Sequence, residues 1–147
     1  MLKHTILSLM LCGLTMATES FDSLNTGGVT EATLSIGTLS AQKGHAAIYG
    51  KGHGDSRSLH ITGGDNKSAT ITFAAPVTKD TPLDFRAERW TRRNPFPFSV
   101  TAITDKGEKK IATANNVNVG NFNTHVKATL PVGTKAIRFD ISSDARG

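Results

Sequence analysis

The chain has 147 residues, of which 37% are hydrophobic and 20% are charged, and its formal net charge is +5. This length and composition are typical of one globular domain, and they exclude an intrinsically disordered chain and a chain with two sizeable cores. If Lys3 is removed with the leader described next, sixteen cations remain against twelve carboxylates, or +4. That modest excess on an exported protein argues against a nucleic-acid partner.

The first segment, residues 1–17, has the layout of a secretory signal peptide. Lys3 precedes an apolar run from Ile6 to Leu14, and small residues follow up to Ala17. The run is shorter than the roughly 20 apolar residues that span a bilayer. We therefore predict cleavage near Ala17, a secreted or periplasmic location, and no membrane contact after the leader is removed.

The single cysteine, Cys12, lies inside this leader. Leu11 stands before it, where a lipoprotein would have a small residue, so lipidation is disfavoured. After cleavage no thiol remains. We therefore expect neither a disulfide nor a cysteine nucleophile in the folded part.

From Ser20 onward, apolar residues recur with period two, which indicates strands with one buried and one exposed face. Clusters of Gly, Asp, Asn and Pro separate these segments and predict turns. No segment after the leader has the pattern of an amphipathic helix. The clearest strands are RSLHITG at 57–63, SATITF at 68–73, HVKATL at 125–130 and KAIRFDI at 135–141, and the turns lie at 50–56, 63–67, 77–82, 104–109 and 131–135.

Short strands at this even spacing predict one all-β domain over residues 18–147. The expected fold is an antiparallel β-sandwich of the jelly-roll or galactose-binding-like type. The sequence stops six residues after the last patterned strand, without a capping segment. Because proteins usually cover an open sheet edge, this ending favours a domain that is truncated at its C-terminus and lacks its closing strand.

The segment at 82–98, PLDFRAERWTRRNPFPF, is the densest in arginine and aromatic residues. If residues 82–93 form one strand, Leu83, Phe85 and Ala87 face the core. An exposed Trp90 would then offer a surface on which a sugar ring stacks. The alternative is a bulge that returns Trp90 to the core, and the pattern leaves both open. The opposite face of that strand would carry Asp84, Arg86, Glu88, Trp90 and Arg92.

A rigid corner at Asn94-Pro95 follows, and the alternation then resumes with Phe96, Phe98, Val100 and Ala102 facing inward. The prolines lack a backbone donor, so this strand is expected to begin at a sheet edge or a bulge. The corner brings the arginines and aromatic residues to one end of the sandwich, where loops commonly carry binding function. We therefore predict a ligand-binding surface formed by Trp90, Arg92, Arg93, Phe96, Arg86 and Glu88.

The same segment does not supply a catalytic pair. Asp84 and Glu88 share a strand face, but four residues at ~3.3 Å each place them about 13 Å apart. Glycosidases need carboxyl groups about 5 to 9.5 Å apart. Arg86 also lies between them and favours the ionised form of Glu88, which works against a general acid. We therefore predict no catalytic residue in this chain.

Metal and cofactor sites are equally poorly supported. The histidines at 45, 53, 60 and 125 are scattered and form no His-x-His or His-Glu-x-x-His motif. The loop GKGHGDS at 50–56 could wrap a structural calcium through its carbonyls and Asp55, but an ordinary glycine turn is favoured. No Gly-x-Ser-x-Gly motif or phosphate-binding loop is present. We expect no metal and no cofactor.

Three stretches resemble the β-sandwich domain that precedes the catalytic propeller in secreted bacterial exo-sialidases of the BNR-repeat type. They are FDSL at 21–24, GHGDSRSLHITGG at 52–64 and FRAERWTRRNPFPFSVTA at 85–102. The resemblance covers nearly all of the chain after the leader. It implies a non-catalytic accessory module of a glycoside hydrolase, which binds carbohydrate or braces the adjacent catalytic domain.

The resemblance does not imply an active site in this chain. In that family the Asp-boxes, the arginine cluster and the tyrosine nucleophile belong to the propeller, and SSDARG at 142–147 departs from an Asp-box because Arg146 stands in place of glycine. The alternative to glycan binding is a purely structural role, in which ERWTRRNPFPF packs on a neighbouring catalytic domain through ion pairs. A small independent enzyme is a third possibility, but the sequence supplies no catalytic constellation for it.

Overall fold

The computed structural model describes residues 8–11, 15–62, 66–88, 98–114 and 122–141. These ranges contain β-strands and no helix, and hence no helix long and apolar enough to cross a membrane. The strands, in chain order, are β1 (Ser8–Leu11), β2 (Thr15–Thr18), β3 (Gly27–Gly28), β4 (Glu31–Leu34), β5 (Gly37–Ser40), β6 (Ala46–Tyr49), β7 (Ser58–Ile61), β8 (Ser68–Phe73), β9 (Thr81–Ala87), β10 (Phe98–Thr104), β11 (Gly107–Ala114), β12 (Thr124–Leu130) and β13 (Ala136–Ile141).

The described strands form three sheets, and every pairing in them is antiparallel. The largest has the order β11-β10-β13-β8-β5-β4, the second β12-β9-β1-β2 and the third β3-β6-β7. The prediction of an all-β antiparallel sandwich is confirmed. The jelly-roll type, the missing closing strand and the division at residue 17 remain predictions.

An aromatic cluster joins the two larger sheets. Phe85 on β9 lies edge-on to Phe98 on β10 and to Phe139 on β13, with ring centroids 5.9 Å and 5.5 Å apart. Phe98 and Phe139 are parallel to each other at 6.2 Å. Edge-to-face pairs place a positive ring edge against a negative ring face, which stabilises them beyond their buried area. This cluster fixes β9 against the large sheet.

A row of fully buried side chains crosses the large sheet. Ile71 on β8 lies between Leu39 on β5 and Ile137 on β13, and Ala102 on β10 is opposite Ile137. All four have no exposed surface. Cross-strand neighbours on one face are the unit of packing in a sheet, so this row sets the register of β5, β8, β13 and β10.

Gly37, the first residue of β5, is required by a close backbone approach. A Cβ atom at this position would overlap the Thr72 carbonyl oxygen on β8. No side chain fits there without separating β5 from β8, so glycine is needed for this pairing.

The start of the domain is anchored by a buried carboxylate. Glu19 is 3% exposed. It accepts hydrogen bonds from the backbone nitrogens of Phe21 (2.7 Å) and Ser35 (2.9 Å) and from the Ser35 hydroxyl (2.8 Å). Three donors compensate the desolvation of the carboxylate. The anchor follows the predicted cleavage position by two residues.

The hairpin of β1 and β2 covers one edge of β9. Ser8 pairs with Asp84 and Leu9 with Leu83, while β12 occupies the opposite edge of β9. β1 and all of β2 except Thr18 belong to the segment in which we predict the leader. Cleavage near Ala17 remains a prediction, and it would remove the strand that covers this edge.

The patterned strands match the structure closely. We considered one strand over residues 82–93, with a bulge as the alternative; β9 ends at Ala87, and residues 89–93 lie outside the described residues. The described ladder ends where Thr124, the first residue of β12, pairs with Ala87. The burial of Leu83 and Phe85, and of Phe98, Val100 and Ala102 in β10, is confirmed.

Candidate functional site

The outer face of the β9–β12 pair carries polar side chains from both strands. We define the β9–β12 face as Asp84, Arg86, His125 and Lys127. On β9, Asp84 and Arg86 alternate with inward-facing residues and are half-buried, whereas His125 and Lys127 on β12 are exposed. Successive side chains on a strand point to opposite faces, so burial of the alternating residues places these four on the solvent side.

The register of the two strands decides which polar residues meet. Phe85 is opposite Val126 and Leu83 is opposite Ala128 on the inner face, which makes His125 the partner of Arg86 and Lys127 the partner of Asp84. A slip by one residue would turn the apolar set outward. The buried face therefore determines the arrangement of the exposed one.

One pair on this face is joined by a hydrogen bond. Nε2 of His125 lies against Oδ1 of Asp84, and the two side chains are 34% and 39% exposed. A pair this open to solvent contributes little to stability. Its main effect is on orientation, because it holds the Asp84 carboxylate toward His125.

Arg86 and Lys127 form no ion pair or side-chain hydrogen bond with another described residue. Arg86 lies one strand away from Lys127, diagonally across the ladder. A planar guanidinium binds a carboxylate through two parallel hydrogen bonds, and an ammonium adds a point charge. The inner face of this strand pair is buried, so the two cations lie on a supported outer face. Such a surface is suited to an anion.

The predicted site residues fall in two groups. Arg86 lies on the β9–β12 face, and Glu88 follows β9 directly and is half-buried. The other four lie outside the described residues: Trp90, Arg92, Arg93 and Phe96.

The site prediction did not include His125 or Lys127. The alternation in HVKATL already placed both on one exposed face, so their orientation was readable from sequence. The sequence pattern did not show which strand is the neighbour of β12. Pairing between residues about 40 positions apart leaves no local signal in the sequence.

A second polar cluster, on the large sheet, contrasts with this face. We define the Arg138 cluster as Arg138, Asp140, Glu108 and Thr101. Arg138 donates from Nε to Asp140 (2.8 Å) and from Nη1 and Nη2 to the two Glu108 oxygens (2.7 and 3.0 Å). Thr101 donates to the other Asp140 oxygen (3.2 Å).

These bonds shift the titration of the Arg138 cluster. Hydrogen bonds to Glu108 and then to Asp140 raise the pKa of Arg138, and the hydrogen bond and charge of Arg138 lower the pKa of Glu108. Both carboxylates are engaged by the same guanidinium. One guanidinium against two carboxylates leaves a net charge of −1, and Arg138 is already bound by both, so the cluster offers little to an anionic ligand.

The histidines do not converge on one site. His60 lies with its ring centroid 4.3 Å from that of Tyr49, and burial lowers its pKa. His45 accepts a hydrogen bond from the backbone nitrogen of Ser68 at 3.4 Å, and His125 lies at the β9–β12 face. In the part of the chain that the structure describes, no three His, Cys, Asp or Glu side chains are grouped to hold a metal.

The loop GKGHGDS at 50–56 is held by the protein itself. The Ser58 hydroxyl donates to the Lys51 carbonyl at 2.6 Å, and the Arg57 backbone nitrogen donates to the Asp22 carboxylate at 2.8 Å. The Arg57 side chain reaches the Leu24 carbonyl. Asp55, the carboxylate considered for calcium, is exposed. These contacts join the loop to the segment FDSL.

Comparison of the chain with protein-family models, with curated proteins and with solved structures gave no match.

Proposed function

We propose that this protein is a secreted, non-catalytic accessory module of the β-sandwich type, belonging to a sialidase-like glycoside hydrolase. Its ligand is an acidic glycan. The observation that carries the proposal is the pair of cations Arg86 and Lys127. Both lie on the outer face of the β9–β12 pair, whose inner face is buried in the core. No carboxylate among the described residues forms an ion pair with either of them.

The chemistry of the β9–β12 face favours a carboxylate-bearing sugar over a neutral one. Arg86 is half-buried, so its side chain loses less freedom on binding than that of an exposed arginine. Lys127 would supply a second positive charge to the same carboxylate. The Asp84 carboxylate, held by His125, would accept hydrogen bonds from sugar hydroxyls.

The resemblance to sialidase accessory domains agrees with this ligand class. The proposal keeps the predicted sugar contacts, stacking by Trp90 and binding by Arg92, Arg93 and Phe96, and these four residues lie outside the described part of the chain. Stacking supplies contact area, and the cations supply the preference for negative charge.

The test is a calorimetric titration of the exported protein with sialylated oligosaccharides and with the same oligosaccharides lacking sialic acid. We expect saturable binding of the acidic sugar alone, and a dissociation constant at least tenfold higher for Arg86→Gln and for Lys127→Gln. Lys110→Gln is the matched control, because Lys110 is also exposed but lies on β11. Equal binding of both sugars, or none of either, would overturn the proposal.

A second candidate is a bracing role without sugar binding. The mixed charges of the β9–β12 face support it, since interfaces between domains of one chain are commonly polar. The same variants decide between the two. For bracing, Arg86→Gln would leave every sugar titration flat and would lower the melting temperature only in the presence of the catalytic domain.

A further inference from the structure

Among the described residues, the second edge of β9 pairs only with β1, which lies in the predicted leader. In the four-stranded sheet, β12 pairs along one edge of β9 and β1 along the other, and β1 is followed only by β2. Removal of residues 1–17 takes away β1 and nearly all of β2. Within the described residues no other strand pairs with that edge.

The exposed edge would have few of the features that protect a sheet. From Leu83 to Ala87 it contains neither lysine nor proline, and Pro82 stands only near its beginning. Its inner side chains, Leu83 and Phe85, are 1% and 6% exposed in the folded chain. An edge with free backbone groups and an apolar inner face is a template for a further strand.

We propose that the exported protein forms a symmetric dimer in which β9 pairs antiparallel with β9 of a second copy, at the edge that the leader vacates. The structure shows that the beginning of this edge accepts an antiparallel strand, since β1 pairs there with Leu83 and Asp84. The proposal takes the predicted cleavage as its starting point and does not depend on glycan binding.

The sequence of β9 is complementary to itself around Phe85. When the two-fold axis passes between two Phe85 residues, Asp84 lies opposite the partner's Arg86, and Arg86 lies opposite the partner's Asp84. Leu83 then faces the partner's Ala87. Opposite charges directly across a ladder are favourable, and a two-fold axis produces each such contact twice.

The neighbouring registers are worse for the same reason. An axis at Asp84 would set two carboxylates against each other, and an axis at Arg86 would set two guanidinium groups together, both of which are destabilising. A shift of one residue in the pairing would set the apolar side chains opposite polar ones. The charge pattern Asp84-Phe85-Arg86 therefore selects one register.

The dimer would leave the proposed glycan surface usable. Asp84 and Arg86 lie on the outer face, and a guanidinium has five donors, so Arg86 can contact both the partner's Asp84 and a ligand. The two β9–β12 faces would adjoin across the axis. Lys127, on the strand away from the new edge, takes no part in the pairing.

The experiment is to express the full chain with its leader in a secreting host and to confirm the new N-terminus by intact mass. The molar mass is then measured by light scattering over a range of concentrations. We expect a dimer that dissociates on dilution. A cleaved protein that is monomeric at every concentration would overturn the proposal, and so would an uncleaved dimer.

A charge swap tests the register. Arg86→Asp and Asp84→Arg should each raise the dimer dissociation constant at least tenfold, because like charges then face each other. Mixed together, the two variants should form a heterodimer, since one chain would present two arginines to the two aspartates of the other. Failure of the mixture to associate, or no effect of either variant, would exclude this register.

Two controls separate loss of the dimer from loss of the fold and from loss of glycan binding. Arg86→Asp preserves the contact between Asp84 and His125, so it remains informative if Asp84→Arg does not fold, which circular dichroism would reveal. Lys127→Gln should weaken glycan binding at least tenfold and leave the dimer unchanged. A dimer lost in Lys127→Gln would contradict β9 edge pairing.

Discussion

Arg86 and Arg138 occupy equivalent places in the fold and have opposite surroundings. Each lies next to a phenylalanine of the same aromatic cluster, Phe85 or Phe139, and each projects from the outer side of its strand. Arg138 is bound by two carboxylates. Arg86 has His125 opposite it and no carboxylate partner among the described residues. The cross-strand neighbours, rather than the strand itself, decide whether such an arginine is structural or open to a ligand.

The largest expected effect on stability comes from disrupting the aromatic cluster that lies beneath both arginines. Phe85→Ala should lower the free energy of unfolding by about 3–5 kcal/mol, because it loses the buried ring and leaves a cavity between the sheets. Urea denaturation followed by circular dichroism measures this. Phe85→Leu is the control and should cost less than about 1.5 kcal/mol. A loss below about 1 kcal/mol for alanine would contradict the packing of β9 on the large sheet.

The two arginines should respond differently to the same substitution. Arg138→Met should cost about 1–2 kcal/mol, since it leaves the half-buried Asp140 without its main donor. At concentrations where the protein is monomeric, Arg86→Met should change stability by no more than about 0.5 kcal/mol, as is usual for surface positions without partners. Both are read from urea denaturation at neutral pH. Equal losses would remove the distinction between the two regions.

Supplying a carboxylate should convert Arg86 into an arginine like Arg138. His125→Glu places a glutamate directly opposite Arg86, where an ion pair would compete with a ligand. We expect the dissociation constant for the acidic glycan to rise about tenfold, equivalent to about 1.4 kcal/mol, with the fold intact. His125→Gln, which lacks the charge, should bind nearly as the parent protein does. Unchanged affinity in His125→Glu would mean that Arg86 does not contact the sugar.

The smallest effect is a pH dependence confined to the Arg138 cluster. The pKa of Glu108 is lowered in the folded state by Arg138, so its contribution is present above the unfolded pKa of about 4.3. It is lost as the pH falls through the lower folded pKa. Compared with the parent, Glu108→Gln should be less stable at pH 6 and show a smaller loss of stability from pH 5 to pH 3, measured by urea denaturation. An identical acid profile would contradict the pairing.

The alternating segments were the part of the fold that could be predicted. The strand HVKATL could be predicted because its apolar residues Val126 and Leu130 alternate with polar ones. The structure buries the former and exposes His125 and Lys127 to solvent. The turn at 104–109 was predicted from its Asp, Lys and Gly residues, and the structure has a two-residue turn there between Thr104 and Gly107. The short strands β3 to β6, which have little alternation over two to four residues, left a much weaker pattern.

The extent of β9 was not readable, because it depends on where its partner begins. The sequence continues to alternate beyond Ala87, but within the described residues the ladder ends at the pair of Ala87 and Thr124. The residues of the β9–β12 face were likewise only partly readable from the sequence. Arg86 was found from its local density of charge, whereas its neighbours His125 and Lys127 come from a strand about 40 residues later.

The sequence by itself determined the fold class, the direction in which each patterned strand faces and the charge available at the surface. These follow from the two-residue period of strands and from the cost of burying polar groups. Only the tertiary structure decided that Glu108 lies beside Arg138 and His125 beside Arg86. These contacts depend on the order and register of the strands. Both are set by long-range packing of buried faces and are not encoded in any single segment.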